Sequence, residues 1–107
     1  MKNLFDIRGR VVVVTGGAGI LGRSICVYLA EQGARVVVLD RDEKAGEELV
    51  GEIRAEGGEA MFLATDVLDR EVLVANREAI LSAYGAIDIL LNAAGGNMGG
   101  ATIAPDK

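Results

Sequence analysis

At 107 residues the chain has the size of one small domain, and with 50% apolar but only 4% aromatic residues its core must be built from Val, Ile, Leu and Ala. A formal charge of -5 and the absence of histidine argue against nucleic acid as a partner, because backbone phosphates are held by Lys and Arg. The composition offers no zinc-type ligand cluster, so no metal site is expected, and the single cysteine, Cys26, excludes an internal disulfide.

The opening stretch, Met1 to Arg8, lacks the apolar core of a signal peptide, and no later run approaches the roughly 20 apolar residues that span a bilayer. No membrane partner is expected, and the reducing cytoplasm is the expected location. Leu4, Phe5 and Ile7 are placed to pack over a sheet edge. Arg10 to Thr15 predicts a first strand, and its unbroken valines suit a strand buried on both faces of a parallel sheet. Ile20 to Gln32 predicts a helix with Leu21, Ile25, Cys26 and Leu29 facing inward, stopped by Gly33. Cys26 in that pattern reads as a buried structural thiol.

Arg35 to Asp40 predicts the second strand. Asp42 is a good cap for a second helix running to about Glu56, with Ala45, Leu49 and Ile53 on one face and charge on the other. Gly57 and Gly58 end it. Ala60 to Ala64 is a weaker third strand, followed by Thr65-Asp66-Val67. A third helix is expected after Asp69, with Val72, Asn76, Ala79, Ile80 and Ala83 inward and Gly85 as its stop. Ile87 to Asn92 predicts the fourth strand. Residues 93–107 carry four glycines and the only proline, and read as a loop or frayed end.

The order is therefore βαβαβαβ. Right-handed crossovers leave an α/β, doubly wound parallel sheet of strand order 3-2-1-4, with helices one and two on one face and helix three on the other. Such a sheet is the Rossmann arrangement. Gly17-Ala-Gly19-Ile-Leu-Gly22 fits G-x-G-x-x-G directly after a strand and at the start of a helix, where backbone N-H groups and the positive helix end converge on a phosphate. Asp40 ends the next strand, 18 residues beyond Gly22, where a carboxylate can accept from ribose hydroxyls. A tight turn alone would account for the glycines, but not for Gly16, Gly19, Asp40 and Asp66 together.

Thr15-Gly-Gly-Ala-Gly-Ile-Leu-Gly22, Asp40, Thr65-Asp66-Val67 and Asn92-Ala-Ala-Gly95 together resemble the amino-terminal half of a classical short-chain dehydrogenase/reductase, in family order and spacing. Two departures concern the branch. Classical members read T-G-x-x-x-G-x-G, and Ile20 stands where the middle glycine belongs. The stretch fits T-G-x-x-G-x-x-G of the extended branch instead. Leu91-Asn-Ala-Ala-Gly95 resembles the N-N-A-G of classical members and favours that branch.

The resemblance implies that residues 1–107 are the dinucleotide-binding (Rossmann) portion of a single longer domain, truncated before strands five to seven, and it implies a set of roles. Backbone around Gly16, Gly19 and Leu21 would line the pyrophosphate, and Asp40 would bind the adenosine ribose. Asp66 and Val67 would bracket the adenine. Asn92, Ala93, Ala94 and Gly95 would pass beside the nicotinamide ribose. Asp66 also reads as a turn residue or helix cap, and Asn92 as a strand-end residue satisfying backbone groups. Asp40 favours NAD over NADP, because a carboxylate repels the extra phosphate. Arg41, which can hold that phosphate in NADP-using relatives, is read here as stacking on adenine or lying in solvent.

Hydride chemistry in the family uses a serine, a tyrosine and a lysine four residues after the tyrosine, which lowers the phenol's pKa. Tyr28 is followed at that distance by Gln32 and Tyr84 by Asp88, so no catalytic residue is assigned and the chain alone is expected to be inactive. The expected function is the NAD(H)-binding portion of an oxidoreductase acting on a carbonyl or alcohol substrate. Asn92-Ala-Ala-Gly-Gly-Asn97, Gly99-Gly100 and Ala101-Thr102 resemble members that are mannonate (fructuronate) oxidoreductases, which points to a sugar acid. Competing readings are a generic 3-oxoacyl or sugar alcohol reductase, an extended-branch nucleotide-sugar epimerase or dehydratase, and a non-catalytic NAD-binding module. With its fourth strand left as an apolar edge, the isolated fragment is expected to self-associate or to be marginally stable, and a homo-oligomer is the expected assembly of the enzyme.

Overall fold

Runs of β-branched residues alternate along this chain with amphipathic stretches that begin at Asp or Gly and end at Gly, and each run becomes a parallel strand. The computed structural model describes residues 6–93. Its elements are β1 (Val11–Thr15), α1 (Ile20–Glu31), β2 (Arg35–Asp40), α2 (Glu43–Ala55), β3 (Glu59–Ala64), α3 (Arg70–Tyr84) and β4 (Ile89–Asn92). All pairings are parallel and the strand order is β3-β2-β1-β4. Leu4, Phe5, Ala94, Gly95 and the rest of 94–107 lie outside the described residues.

The valines explain the middle of the sheet. Val11 to Val14 are at most 2% exposed, and alternate side chains enter two separate cores. Val12 and Val14 pack with Cys26 of α1, Val36 and Val38 of β2, and Leu49, Val50 and Ile53 of α2. Val11 and Val13 pack with Val37, Leu39 and Ile80 of α3. Helices α1 and α2 thus cover one face and α3 the other, as the right-handed crossover requires. Ile7 packs against the α1/α2 side. Among the described residues no helix is long and apolar enough to cross a membrane.

Helix ends follow local chemistry. Asp42 caps α2 by accepting from Ala45 N at 3.0 Å, and Asp69 caps α3 by accepting from Glu71 N and Val72 N. Gly85, with φ 82°, closes α3 in the left-handed conformation that glycine adopts without strain.

β1 begins at Val11 and β3 at Glu59, each one residue from the expected start, and three larger details depart from the sequence expectation. β4 begins at Ile89 rather than Ile87, because Asp88 closes the ladder: its N-H donates to Val11 O, and its Oδ2 accepts from Val11 N at 2.8 Å. Ala83 is exposed, since the inward stripe of α3 runs through Asn76, Ile80 and the half-buried Tyr84 at four-residue steps. Leu21, expected inward, is 59% exposed at the first turn of α1.

Candidate functional site

Parallel strands deliver their carboxyl ends to one rim, and register decides which residues meet there. Thr15 of β1 lies beside Leu39 of β2 and beside Asn92 of β4, while Asp40 lies beside Ala64 of β3. The chain leaves β1 through Gly16, whose φ of 69° turns the backbone sharply. Gly16 N donates to Leu39 O at 2.7 Å, so the corner is bonded to the neighbouring strand.

Gly22 is the glycine that packing demands. A Cβ there would stand 2.7 Å from Gly17 Cα and closer still to the Gly16 carbonyl oxygen, so α1 lies directly against the corner. Gly19 differs, because a Cβ there would meet only Gly16 O, at an ordinary 3.5 Å. Packing leaves room at position 19. The absence of a side chain there keeps the first turn of α1 open to solvent.

That first turn is electrostatically unfinished. Asp42 and Asp69 cap α2 and α3, with Glu43 and Glu71 in their first turns, whereas Gly19 gives α1 no side-chain cap and the first turn holds no acid. The N-H groups of Ile20, Leu21 and Gly22 therefore have no intrahelical acceptor, and the positive end of the helix dipole is uncompensated. An anion of phosphate size supplies what is missing.

Asp40 sits beside this corner. It is half-buried, its Oδ2 accepts from Ala18 N at 3.1 Å and its Oδ1 from Asp42 N at 3.0 Å. Two bonds fix the carboxylate while leaving lone pairs for further donors. Asp40 O also accepts from Thr65 N at 2.8 Å, tying β2 to the loop that follows β3. In that loop Asp66 is half-buried, its Oδ1 accepts from Leu68 N at 3.0 Å, and Val67 is 41% exposed. Arg41 is exposed and makes no ion pair among the described residues.

On the other side, Thr15 Oγ1 donates to Asn92 Oδ1 at 2.9 Å, and Ala93 N donates to Thr15 O at 2.9 Å. A continuous line of polar contacts thus runs along the rim from Asn92 through Thr15 and the glycine corner to Asp40 and Thr65. Gly16, Gly19, Leu21, Asp40, Arg41, Asp66, Val67, Asn92 and Ala93 lie on that rim or its immediate turns. Ala94 and Gly95 fall outside the described residues.

Sequence reading missed the working parts of Ala18, Asp42 and Thr65. Ala18 contributes a backbone N-H across 22 positions, for which the sequence carries no signal. Cys26 is fully buried near Gly17, and burial pushes its thiol up to about 12, as expected of a structural residue. Tyr84 lies under the Arg35 guanidinium, 5.6 Å from its ring centre, and burial raises the phenol above its ordinary value. That is the opposite of the shift a proton-exchanging phenol needs.

A parallel sheet of order β3-β2-β1-β4 with a glycine corner after β1 and a carboxylate at the end of β2 is the Rossmann arrangement. The model of the short chain dehydrogenase family matches residues 10–106, and the chain belongs to that family. It is 44% identical over 92 residues to the uncharacterized oxidoreductase UxuB of Bacillus subtilis, covering 86% of this chain and 33% of UxuB. A Haemophilus influenza structure described as a D-mannonate oxidoreductase with bound NAD superposes with a TM-score of 0.77 at 29% identity, covering 79% of this chain and 30% of that one. A metagenomic short-chain oxidoreductase in complex with NADP superposes at 0.75 with 36% identity, covering 79% and 38%. The chain spans about a third of the length of these relatives. Family neighbours hold either NAD or NADP.

Proposed function

We propose that residues 1–107 form the NAD(H)-binding portion of a longer single-domain oxidoreductase that moves hydride between the nicotinamide and a carbonyl or alcohol substrate. The observation that carries this reading is Asp40, fixed by Ala18 N and Asp42 N beside an uncapped helix end. In this reading backbone at Gly16, Gly19 and Leu21 faces the pyrophosphate, and Asp40 accepts the adenosine ribose hydroxyls. Asp66 and Val67 flank the adenine, with Arg41 above it or in solvent. Asn92, Ala93, Ala94 and Gly95 pass beside the nicotinamide ribose. When bound, the nicotinamide supplies the hydride chemistry; the chain's own residues orient it.

NAD is the proposed cofactor in preference to NADP, because the 2'-phosphate of NADP would approach the Asp40 carboxylate. A sugar acid is the proposed substrate class, supported by the likeness to the Haemophilus influenza protein. The buried thiol fits a cytoplasmic protein.

Calorimetric titration of the chain with NAD and NADP tests the reading. The expected result is tighter binding of NAD, with Asp40→Ala weakening it by about 1–3 kcal/mol and erasing the preference. Tighter binding of NADP, or NAD affinity untouched by Asp40→Ala, would overturn it. The chain by itself is expected to show no turnover.

A further inference from the structure

Asn76 and Thr65 are the buried polar residues among the described ones, at 8% and 3% exposure, and they bond to each other. Asn76 lies in the second turn of α3, on the stripe that otherwise presents Ile80 and Tyr84 to the sheet. An asparagine in a helix interior is a weaker helix former than Leu, and a buried amide contributes little net stability even when paired. An apolar residue would serve packing at least as well. The amide does something more specific: Asn76 Nδ2 donates to Thr65 Oγ1 at 2.7 Å, and that hydroxyl donates to Leu63 O at 2.8 Å.

Thr65 is where the chain leaves β3. Its N-H is spent on Asp40 O, so hydroxyl and amide together hold the residue against both β2 and α3. The next residue is Asp66, whose Oδ1 accepts from Leu68 N and whose carbonyl accepts from Asp69 N at 2.9 Å. The turn is therefore pinned ahead of Asp66 by Asn76 and behind it by its own carboxylate. Asp66 Oδ2 accepts no hydrogen bond among the described residues, and that oxygen is available to a ligand.

We infer that Asn76 is a positioning residue for the base of the dinucleotide: acting through the Thr65 hydroxyl, it sets where the Asp66 carboxylate meets the exocyclic amino group of adenine. The inference rests on the proposed placement of Asp66 beside adenine. It adds a residue on α3 that does not itself touch the ligand. Its consequence is selective, because displacing Asp66 removes recognition of the amino group but leaves the pyrophosphate and ribose contacts in place.

The test compares NAD with nicotinamide hypoxanthine dinucleotide, in which an oxo group replaces the adenine amino group, by titration of the full chain. The parent is expected to favour NAD about tenfold, the value of one hydrogen bond to a charged acceptor. Asn76→Leu and the isosteric Thr65→Val are each expected to reduce that preference below about threefold while holding hypoxanthine dinucleotide affinity within about twofold. Thr65→Ser, which keeps the hydroxyl, is expected to retain the full preference. If Asn76→Leu does not fold, as judged by its thermal transition, the Thr65→Val and Thr65→Ser pair decides. Preference unchanged in the variants, or an equal loss for both ligands, overturns the positioning role. A parent with no preference overturns the Asp66 placement and the inference with it.

Discussion

Gly22→Ala adds one methyl group where the structure has no room for it. The new Cβ would stand 2.7 Å from Gly17 Cα and 2.9 Å from Gly17 C, whereas real Cβ contacts are essentially never under 3.0 Å. Both obstacles are backbone, in a corner bonded to β2 through Gly16 N, so neither can swing aside. Helix α1 must withdraw from the corner, loosening Cys26 and the apolar cluster beneath it. Overpacking typically costs about 1–3 kcal/mol, and an immovable backbone puts this case near the top of that range, about 3 kcal/mol. For a domain of this size that corresponds to a melting point lower by roughly 12 °C or more. Thermal unfolding followed by far-ultraviolet circular dichroism measures it. Gly19→Ala is the internal control, since its Cβ meets only Gly16 O at 3.5 Å and its φ of -73° suits any residue. It should lose under about 1 kcal/mol of stability, while its methyl group obstructs the approach of phosphate. A Gly22→Ala protein melting within about 3 °C of the parent, or a Gly19→Ala protein equally damaged, would refute this reading of the corner.

Other expectations follow from the same contacts. Gly46 of α2 lies against the Phe62 ring, where a Cβ would be 2.8 Å from Cζ and nearer to other ring atoms. Gly46→Ala should lose about 1–3 kcal/mol in a denaturant titration, and adding Phe62→Leu should return more than half of it. Cys26 should resist iodoacetamide at pH 8 in the native chain and react once urea unfolds it. Because burial raises the thiol from 9.0 to about 12, its contribution to stability is intact below the unfolded value. That contribution is lost as pH rises from about 9 to about 12, so urea midpoints should fall across that window and Cys26→Ala should flatten the fall.

The fold was legible because its signals are local or periodic. Unbroken valines marked β1 and β2, Asp42 and Asp69 announced two helix starts, and Gly85 announced a stop. Chirality then left strand order β3-β2-β1-β4 with the helices on the expected faces. The misses come from contacts between distant positions. Asp88 shortened β4 through a bond to Val11, 77 residues away. Asn76 was legible as an inward position but not as the partner of Thr65, because helical period reports direction and not what waits there. Gly46 is a weak helix former inside α2, and only the folded chain, which sets the Phe62 ring against it, gives the reason. Asp40 was singled out from its spacing, yet its bond to Ala18 N, which ties the end of β2 to the glycine corner, required the folded chain.

The claim that a dinucleotide lies across the glycine corner is tested most directly by following the backbone amide resonances of the chain while NAD is added. The expected result is saturable shifts concentrated at Gly16 to Gly22, Asp40, Arg41 and Asp66, with the β2–α2 ends otherwise still. Amides at the corner unmoved at saturating NAD, or shifts centred on the opposite, amino-terminal rim of the sheet, would contradict it.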